Sequence, residues 1–273
     1  ESHPVGTSEN IRILLAEDNA INRKLVLNLL NKEGYKVKGV ENGSQAVNAW
    51  RNEKYDLIFM DIQMPVMDGF EAVREIRSLE SHDQHIPIIA MTGHAMKGYR
   101  EQCIRAGMDG YVTKPLNPNA VYEVINRWCK NKDTAPLNRP GTPPPPPPPI
   151  KKEEEIPDNN RILDVNNALP RFSSDMNFFK ELLAEFAEAL PNKIAEIKTS
   201  VQQDNLDELL KQAHNIKGIA RNFSALTLSE SASRLEQLAK RQDRENIVTE
   251  YATLEQASKD LINYCEKLMK SGS

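Results

Sequence analysis

The sequence predicts two folds in one chain: an α/β domain on a five-stranded parallel sheet, then an all-α helical bundle. Three observations carry this. Up to about residue 130, short apolar β-type runs alternate with amphipathic helical stretches. A proline-rich, charged stretch then interrupts the chain, and beyond it the helical period takes over. At 273 residues there is enough chain for two ordinary cores.

Residues 1–9 are read as a flexible N-terminal segment and residues 10–131 as the α/β domain. Its strands are expected at 11–16, 37–40, 57–60, 87–91 and 110–113, with helices between them. Leu57-Ile58-Phe59-Met60 is apolar on every side, as a strand covered on both faces requires, and the alternation implies right-handed crossovers in a parallel sheet. Ten of the 17 prolines fall between Pro136 and Pro157, seven of them in the unbroken run Pro143 to Pro149, followed by Lys151-Lys152-Glu153-Glu154-Glu155. No core can be built there. Residues 132–160 are therefore an expected linker, with a polyproline rod of about 22 Å inside it. Residues 161–270 carry the bundle and 271–273 a tail. Asp164 and Ser173 or Ser174 are candidate N-caps, and Pro191 reads as a first-turn proline. Leu206, Leu209, Leu210, Ala213, Ile216 and Ala220 form one apolar stripe, and similar stripes run through 178–186, 226–238 and 248–268.

Composition excludes several classes. With 35 basic against 39 acidic residues the net charge is −4, which offers no broad positive field for nucleic acid. Cys103, Cys129 and Cys265 are far apart and lie in helical patterns, so they read as reduced core thiols rather than a disulfide framework or zinc site. No apolar run reaches the 18 or so residues of a membrane-spanning helix, and the first ten residues lack the regions of a signal peptide. The expected location is the cytoplasm, with no membrane contact by this segment. The missing initiator Met and the Ser271-Gly272-Ser273 ending suggest a piece of a longer polypeptide, whose parent could still be anchored in the inner membrane.

Five polar residues stand at the ends of separate expected strands: Glu17 and Asp18 after the first, Asp61 after the third, Thr92 after the fourth and Lys114 after the fifth. In a parallel sheet these positions converge, near the point where strand order reverses. Three close carboxylates cannot all ionise cheaply without a cation among them, and a hard divalent ion, Mg²⁺ or Mn²⁺, resolves this. Asp61 can then act as a nucleophile toward phosphorus, with Lys114 and the Thr92 hydroxyl binding phosphoryl oxygens. Taken singly, Thr92 reads as a helix cap, Tyr111 as a half-buried strand residue and Glu17 as a solvated charge. Their convergence favours the pocket.

Ala16-Glu17-Asp18-Asn19, the run from Phe59 through Asp61, Met64-Pro65 and Asp68 to Gly69, Met91-Thr92-Gly93 and Thr113-Lys114-Pro115 resemble the response-regulator receiver domain, over about residues 10–130. The resemblance implies a flavodoxin-like (βα)5 fold with Asp61 as phosphoacceptor. It further implies Asp18 as a direct metal ligand, Glu17 as an outer one, a metal bond from the Gln63 backbone carbonyl and a cis bond before Pro115. Thr92 and Tyr111 become the switch pair, the hydroxyl moving toward the phosphoryl group as the aromatic ring turns inward. Gln63 and His94 flank the pocket.

In the second domain, Ala213-His214-Asn215-Ile216-Lys217-Gly218 lies within a strong helical stripe, and His214 falls roughly 100° from the centre of the apolar face. Gly218 occupies the next turn, where a missing side chain opens access to His214 at a helix-propensity cost of up to about 1 kcal/mol. Lys217 and Arg221 add positive charge on either side of that opening, suited to a phosphate or a docking acidic pocket. The segment resembles the histidine phosphotransfer (HPt) domain, whose signature His-x-x-Lys-Gly sits on a four-helix bundle. That resemblance implies His214 as phosphoacceptor, Lys217 as its catalytic partner and Gly218 as a docking position; Arg221 joins the docking face on its charge. Arg221 and Ser224 stand where the family often has small residues, while Asn222 fits.

Together the two resemblances imply the carboxy-terminal part of a hybrid sensor histidine kinase. Phosphate would pass from an upstream kinase histidine to Asp61, then to His214, then to a downstream response regulator, with the last two steps open to reversal. The chain itself has no glycine-rich nucleotide loop. A freestanding relay adaptor is the nearest alternative. A Mg²⁺-dependent phosphohydrolase of the haloacid dehalogenase type is a rival, but that family needs a second acid two residues after the nucleophile, where Gln63 stands; slow acyl-phosphate hydrolysis is the most to expect.

Overall fold

The computed structural model describes residues 11–81, 84–93, 97–130 and 161–270. The chain divides into two compact units. The expected linker and His94 lie outside the described residues.

In the first unit the elements run β1 (Arg12–Ala16), α1 (Ala20–Lys32), β2 (Lys36–Val40), α2 (Gly43–Asn52), β3 (Leu57–Asp61), α3 (Gly69–Leu79), β4 (Ile88–Thr92), α4 (Lys97–Arg105), β5 (Gly110–Thr113) and α5 (Pro118–Ile125), which continues into a π-helical turn, Asn126–Lys130. All neighbouring strands pair parallel, in the order β2-β1-β3-β4-β5. The side-chain period of two splits each inner strand between two cores. Leu14, Ile58, Met60, Ile88 and Ala90 pack with Ala46, Val47, Ala72 and Ile76 of α2 and α3. Ile13, Leu15, Leu57, Phe59 and Ile89 pack with Val26, Leu30, Val121 and Ile125 of α1 and α5. Leu57 to Met60 are accordingly buried on both faces.

Five strands were expected and five are found, with shifted ends. β3 and β4 each run one residue further, so Asp61 and Thr92 are the last residues of strands rather than the first of loops. The ladder explains this, since Asp61 is in register with Met91 and Thr92 with Thr113. Polar caps start the helices that follow: Asn19 for α1, Asn42 for α2, Asn117 for α5, and Asp68 with Glu71 as a capping box for α3. Gly69 is required at its position because any side chain there would collide with the Asp61 carbonyl.

The second unit opens with α6 (Val165–Ala168) and a 3₁₀ turn, Leu169–Phe172, before four long helices: α7 (Met176–Gln202), α8 (Leu206–Asn222), α9 (Leu226–Arg241) and α10 (Arg244–Lys270). α7 packs on α8, α8 on α9, α9 on α10 and α10 back on α7, which closes a four-helix bundle. One end of its core is aromatic: Phe172 stacks on Phe223 at 5.0 Å, and Phe179 meets Phe172 edge-on at 4.9 Å.

Asp164 caps α6 as expected, but Asp175, not Ser173 or Ser174, caps α7. Both serines are left-handed, at φ 54°, whereas an N-cap is extended. Pro191 lies inside α7 rather than in the first turn of a new helix. It is exposed, so the missing hydrogen bond falls on the solvent side while Phe186, Leu190 and Ile194 continue the buried stripe. Val248 is 60 % exposed, and the buried face of α10 is carried by Ile247, Leu254, Leu261 and Cys265. All three cysteines are free; burial pushes the Cys103 and Cys265 thiols up to about 11 and about 12.

Candidate functional site

The switch point of the first sheet lies between β1 and β3, where the chain turns from building one side of the sheet to the other. Glu17 leaves β1 with its backbone N–H donating to Val40 at the end of β2, 3.1 Å, which ties this corner to the sheet. Its carboxylate is 1 % exposed. Oε1 accepts from the Asn22 amide at 2.9 Å and Oε2 from the Lys114 ammonium at 2.5 Å. The same ammonium donates to Oδ2 of Asp61 at 2.6 Å, so Lys114, just beyond β5, bridges the tips of β1 and β3. The peptide between Lys114 and Pro115 is cis. Arg23 donates to the backbone carbonyls of Glu17 and Asp18, at 2.8 and 3.2 Å, and pairs with Glu41.

Glu17, Asp18 and Asp61 each offer a carboxylate oxygen within 4.8 Å of the others. Burial, with Glu17 and Asp18 close by, pushes the Asp61 carboxyl up to about 7 against the pull of Lys114. Lys114 is raised in turn: burial opposes its charge, and Asp61 and Glu17 more than offset that. Thr92 ends β4 beside Asp61's strand, 5 % exposed, and its carbonyl accepts from the Lys114 N–H at 2.7 Å. Gln63 directs its backbone N–H toward Oδ1 of Asp61 at 3.4 Å. Tyr111 on β5 is half-buried against the core shared by Ile88, Ala90 and Cys103. Asn22 and Arg23 hold the acidic loop and were not singled out by sequence. One helical turn past the Asn19 cap, they look like ordinary polar residues of a first turn.

In the second unit His214 lies on α8 with its side chain 22 % exposed. Nδ1 is fully buried and makes no hydrogen bond; Oε1 of Glu236 on α9 is 3.5 Å away. Glu236 is itself 2 % exposed and binds two ammonium groups, Lys217 at Oε2 and Lys240 at Oε1, the latter at 2.6 Å. Burial works against its charge, yet His214, Lys217 and Lys240 hold the carboxyl well below the usual range. Burial also draws Lys217 down. Lys217 was expected beside the opening at His214; it is instead 3 % exposed and turned inward, because Glu236 offers a buried counter-charge. Gly218 and Arg221 are half-buried, the guanidinium near enough to act on Lys217. Sequence reasoning missed Glu236. The available signal was a carboxylate inside the apolar stripe Leu228, Ala232, Leu235, Ala239.

Comparison with known proteins agrees with this division. Residues 13–126 match the response regulator receiver domain and residues 181–264 the Hpt domain. Sensor histidine kinase GacS of Pseudomonas protegens is 30 % identical over 234 residues, which cover 85 % of this chain and 24 % of that protein. Hybrid signal transduction histidine kinase I of Dictyostelium discoideum is 45 % identical over 138 residues, 46 % of this chain and 8 % of that one. The chain thus spans a quarter or less of the length of these two relatives. Among solved structures, the receiver domain of sensor histidine kinase PA1611 from Pseudomonas aeruginosa, with a magnesium ion coordinated in its active-site cleft, is 42 % identical. The match covers 43 % of this chain and 96 % of that one, with a TM-score of 0.40. The chain therefore belongs to the two-component signalling families, its first unit a response regulator receiver domain and its second an Hpt domain.

Proposed function

We propose that this chain is a two-step phosphorelay module in which Asp61 receives a phosphoryl group from a kinase histidine and His214 takes it onward to a separate receiver. One observation carries the reading. A buried carboxylate at a strand tip, bridged by an ammonium and flanked by two further acids, shares the chain with a partly exposed histidine backed by a buried carboxylate.

The acidic pocket fits a hard divalent cation. Its donors are all oxygens, its formal charge is negative, and burial pushes the Asp61 carboxyl up to about 7 even with Lys114 bound to it, a cost that a cation would relieve. Asp18 and Asp61 would hold Mg²⁺ or Mn²⁺ directly, with the Gln63 carbonyl, and Glu17 at one remove. Bound there, such an ion supplies charge neutralisation for the phosphoryl oxygens. The chain's own groups do the rest. A carboxylate oxygen of Asp61 forms the new P–O bond as the donor's P–N bond breaks. Lys114, already on Oδ2, is placed to follow the negative charge onto the phosphoryl group, and the Thr92 hydroxyl stands beside it as the switch residue, with Tyr111 as its partner.

For the second step, the burial of Nδ1 leaves Nε2 as the ring nitrogen available to an incoming phosphoryl group. Nε2 is therefore the attacking atom, and Glu236 faces the other nitrogen as a positioning residue. Lys217 acts through Glu236. Gly218 and Arg221 form the docking face. The partners are an upstream histidine kinase core and a downstream receiver, and the site of action is the cytoplasm. No helix among the described residues is long and apolar enough to cross a membrane.

The test uses a small acyl-phosphate donor with Mg²⁺. Base-labile phosphate forms at Asp61 and then acid-labile phosphate at His214. Asp61→Asn abolishes both and His214→Gln only the second, while EDTA suppresses labelling altogether. Full-rate labelling of the Asp61→Asn chain would refute the assignment.

A further inference from the structure

The second site leaves one polar contact unmade. His214 Nδ1 is buried without a hydrogen bond, and the acceptor it faces, Oε1 of Glu236, is 3.5 Å away. That oxygen is already held at 2.6 Å by Lys240, one turn along α9, while Lys217 takes Oε2. The two lysines differ in freedom. Lys217 has a side chain 4 % exposed and cannot leave; that of Lys240 is 43 % exposed, so its ammonium can exchange Glu236 for water. We propose that Lys240 restrains His214 by drawing on the charge of the Glu236 oxygen that the ring faces, so that releasing or neutralising Lys240 speeds phosphoryl transfer to His214. This rests on the reading of His214 as phosphoacceptor.

The chemistry of the step gives the sign. A neutral ring carrying its proton on Nδ1 attacks through Nε2. The P–O bond to the aspartyl carboxyl breaks as the P–N bond forms, and the aspartate departs as a carboxylate. The proton stays on Nδ1, so the ring gains one positive charge. A carboxylate accepting from Nδ1–H stabilises that charge more in the transition state than in the resting ring. Two ammonium groups on Glu236 leave the cluster with a net positive charge facing the ring. Arg221, near enough to act on Lys217, is also cationic. Glu236 is thus the group able to offset the new charge, and Lys240 blunts it. An ammonium that served mainly to bind the incoming phosphoryl group would have the opposite effect.

The full chain is labelled from an acyl-phosphate donor with Mg²⁺, and the rate at which acid-labile phosphate appears at His214 is compared across variants. Lys240→Met is expected to raise the rate roughly fivefold, a modest share of what a positioned proton-sharing group can contribute. Lys240→Arg, which keeps the charge, gives no such gain, and Lys240→Met has no effect in a Glu236→Gln background. A readout apart from activity is the ¹⁵N spectrum of the unphosphorylated ring, where Lys240→Met is expected to shift His214 toward the tautomer protonated on Nδ1. Slower or unchanged transfer in Lys240→Met, with His214 labelled normally in the unsubstituted chain, overturns the proposal alone, as does an unaltered tautomer. No labelling of His214 in the unsubstituted chain overturns the phosphorelay reading and this proposal with it.

Discussion

Asp61 keeps its proton to about pH 7 when no cation is bound, which ties the stability of the first unit to pH. Its folded value lies above the ordinary 3.8, so folding binds a proton more tightly; the associated stability is full below about pH 4 and is lost as the pH rises through about 7. In EDTA the melting temperature of the first unit is expected to fall across that window, with Mg²⁺ restoring it most at the alkaline end. Asp61→Asn should remove this part of the dependence; an unchanged profile in that variant would show that other groups cause it. Glu236 has the opposite sign. Its lowered value means stability that is present at neutral pH and lost as the pH falls below the carboxylate range. Glu236→Leu strands the Lys217 ammonium in the core and should cost about 3–5 kcal/mol in urea unfolding, most of it recovered by adding Lys217→Met. The acidic pocket could be read from sequence because each member stands at a strand end and strand ends converge. Glu236 could not, because its partner Lys217 lies 19 residues away across a helical hairpin, and a helical glutamate normally faces water.

At the scale of elements, α8 presents His214 and Gly218 on consecutive turns, both half-buried. Gly218→Leu should lower the rate of transfer to His214 by about tenfold or more, by crowding the docking face, while raising helix propensity by up to about 1 kcal/mol. A variant that is more stable and transfers at full rate would refute the access argument. Pro191 interrupts the ladder of α7 on its wet side, and Pro191→Ala is expected to stabilise the second unit by about 1–3 kcal/mol in chemical denaturation. Strand number and order of elements were readable from apolar runs alone. Their ends were not, since Asp61 and Thr92 join the ladder through partners on other strands. The start of α7 escaped for a different reason: Ser173 and Ser174 have the composition of N-caps, but a left-handed turn that no local rule specifies hands that role to Asp175.

At the scale of the whole molecule, the two acceptors sit on separate units joined by about 30 residues of chain, which at full extension reach ~100 Å. A tether of that length holds the two units near millimolar effective concentration, so the rate from Asp61 to His214 should not depend on protein concentration. Mixing Asp61→Asn chains with His214→Gln chains at micromolar levels should restore transfer only weakly; efficient restoration would mean exchange between chains. The topologies of the two units also imply a difference in time. The sheet must join distant segments, Ile13 with Leu57 and Leu15 with Phe59, before any strand is secure. The bundle pairs helices across connections of two or three residues. Local contacts form faster than distant ones, so after dilution from urea the bundle should regain its helical signal in milliseconds or less and the sheet more slowly. A chain emerging from the unfolded state would then be able to hold phosphate on its histidine before it could accept any on its aspartate.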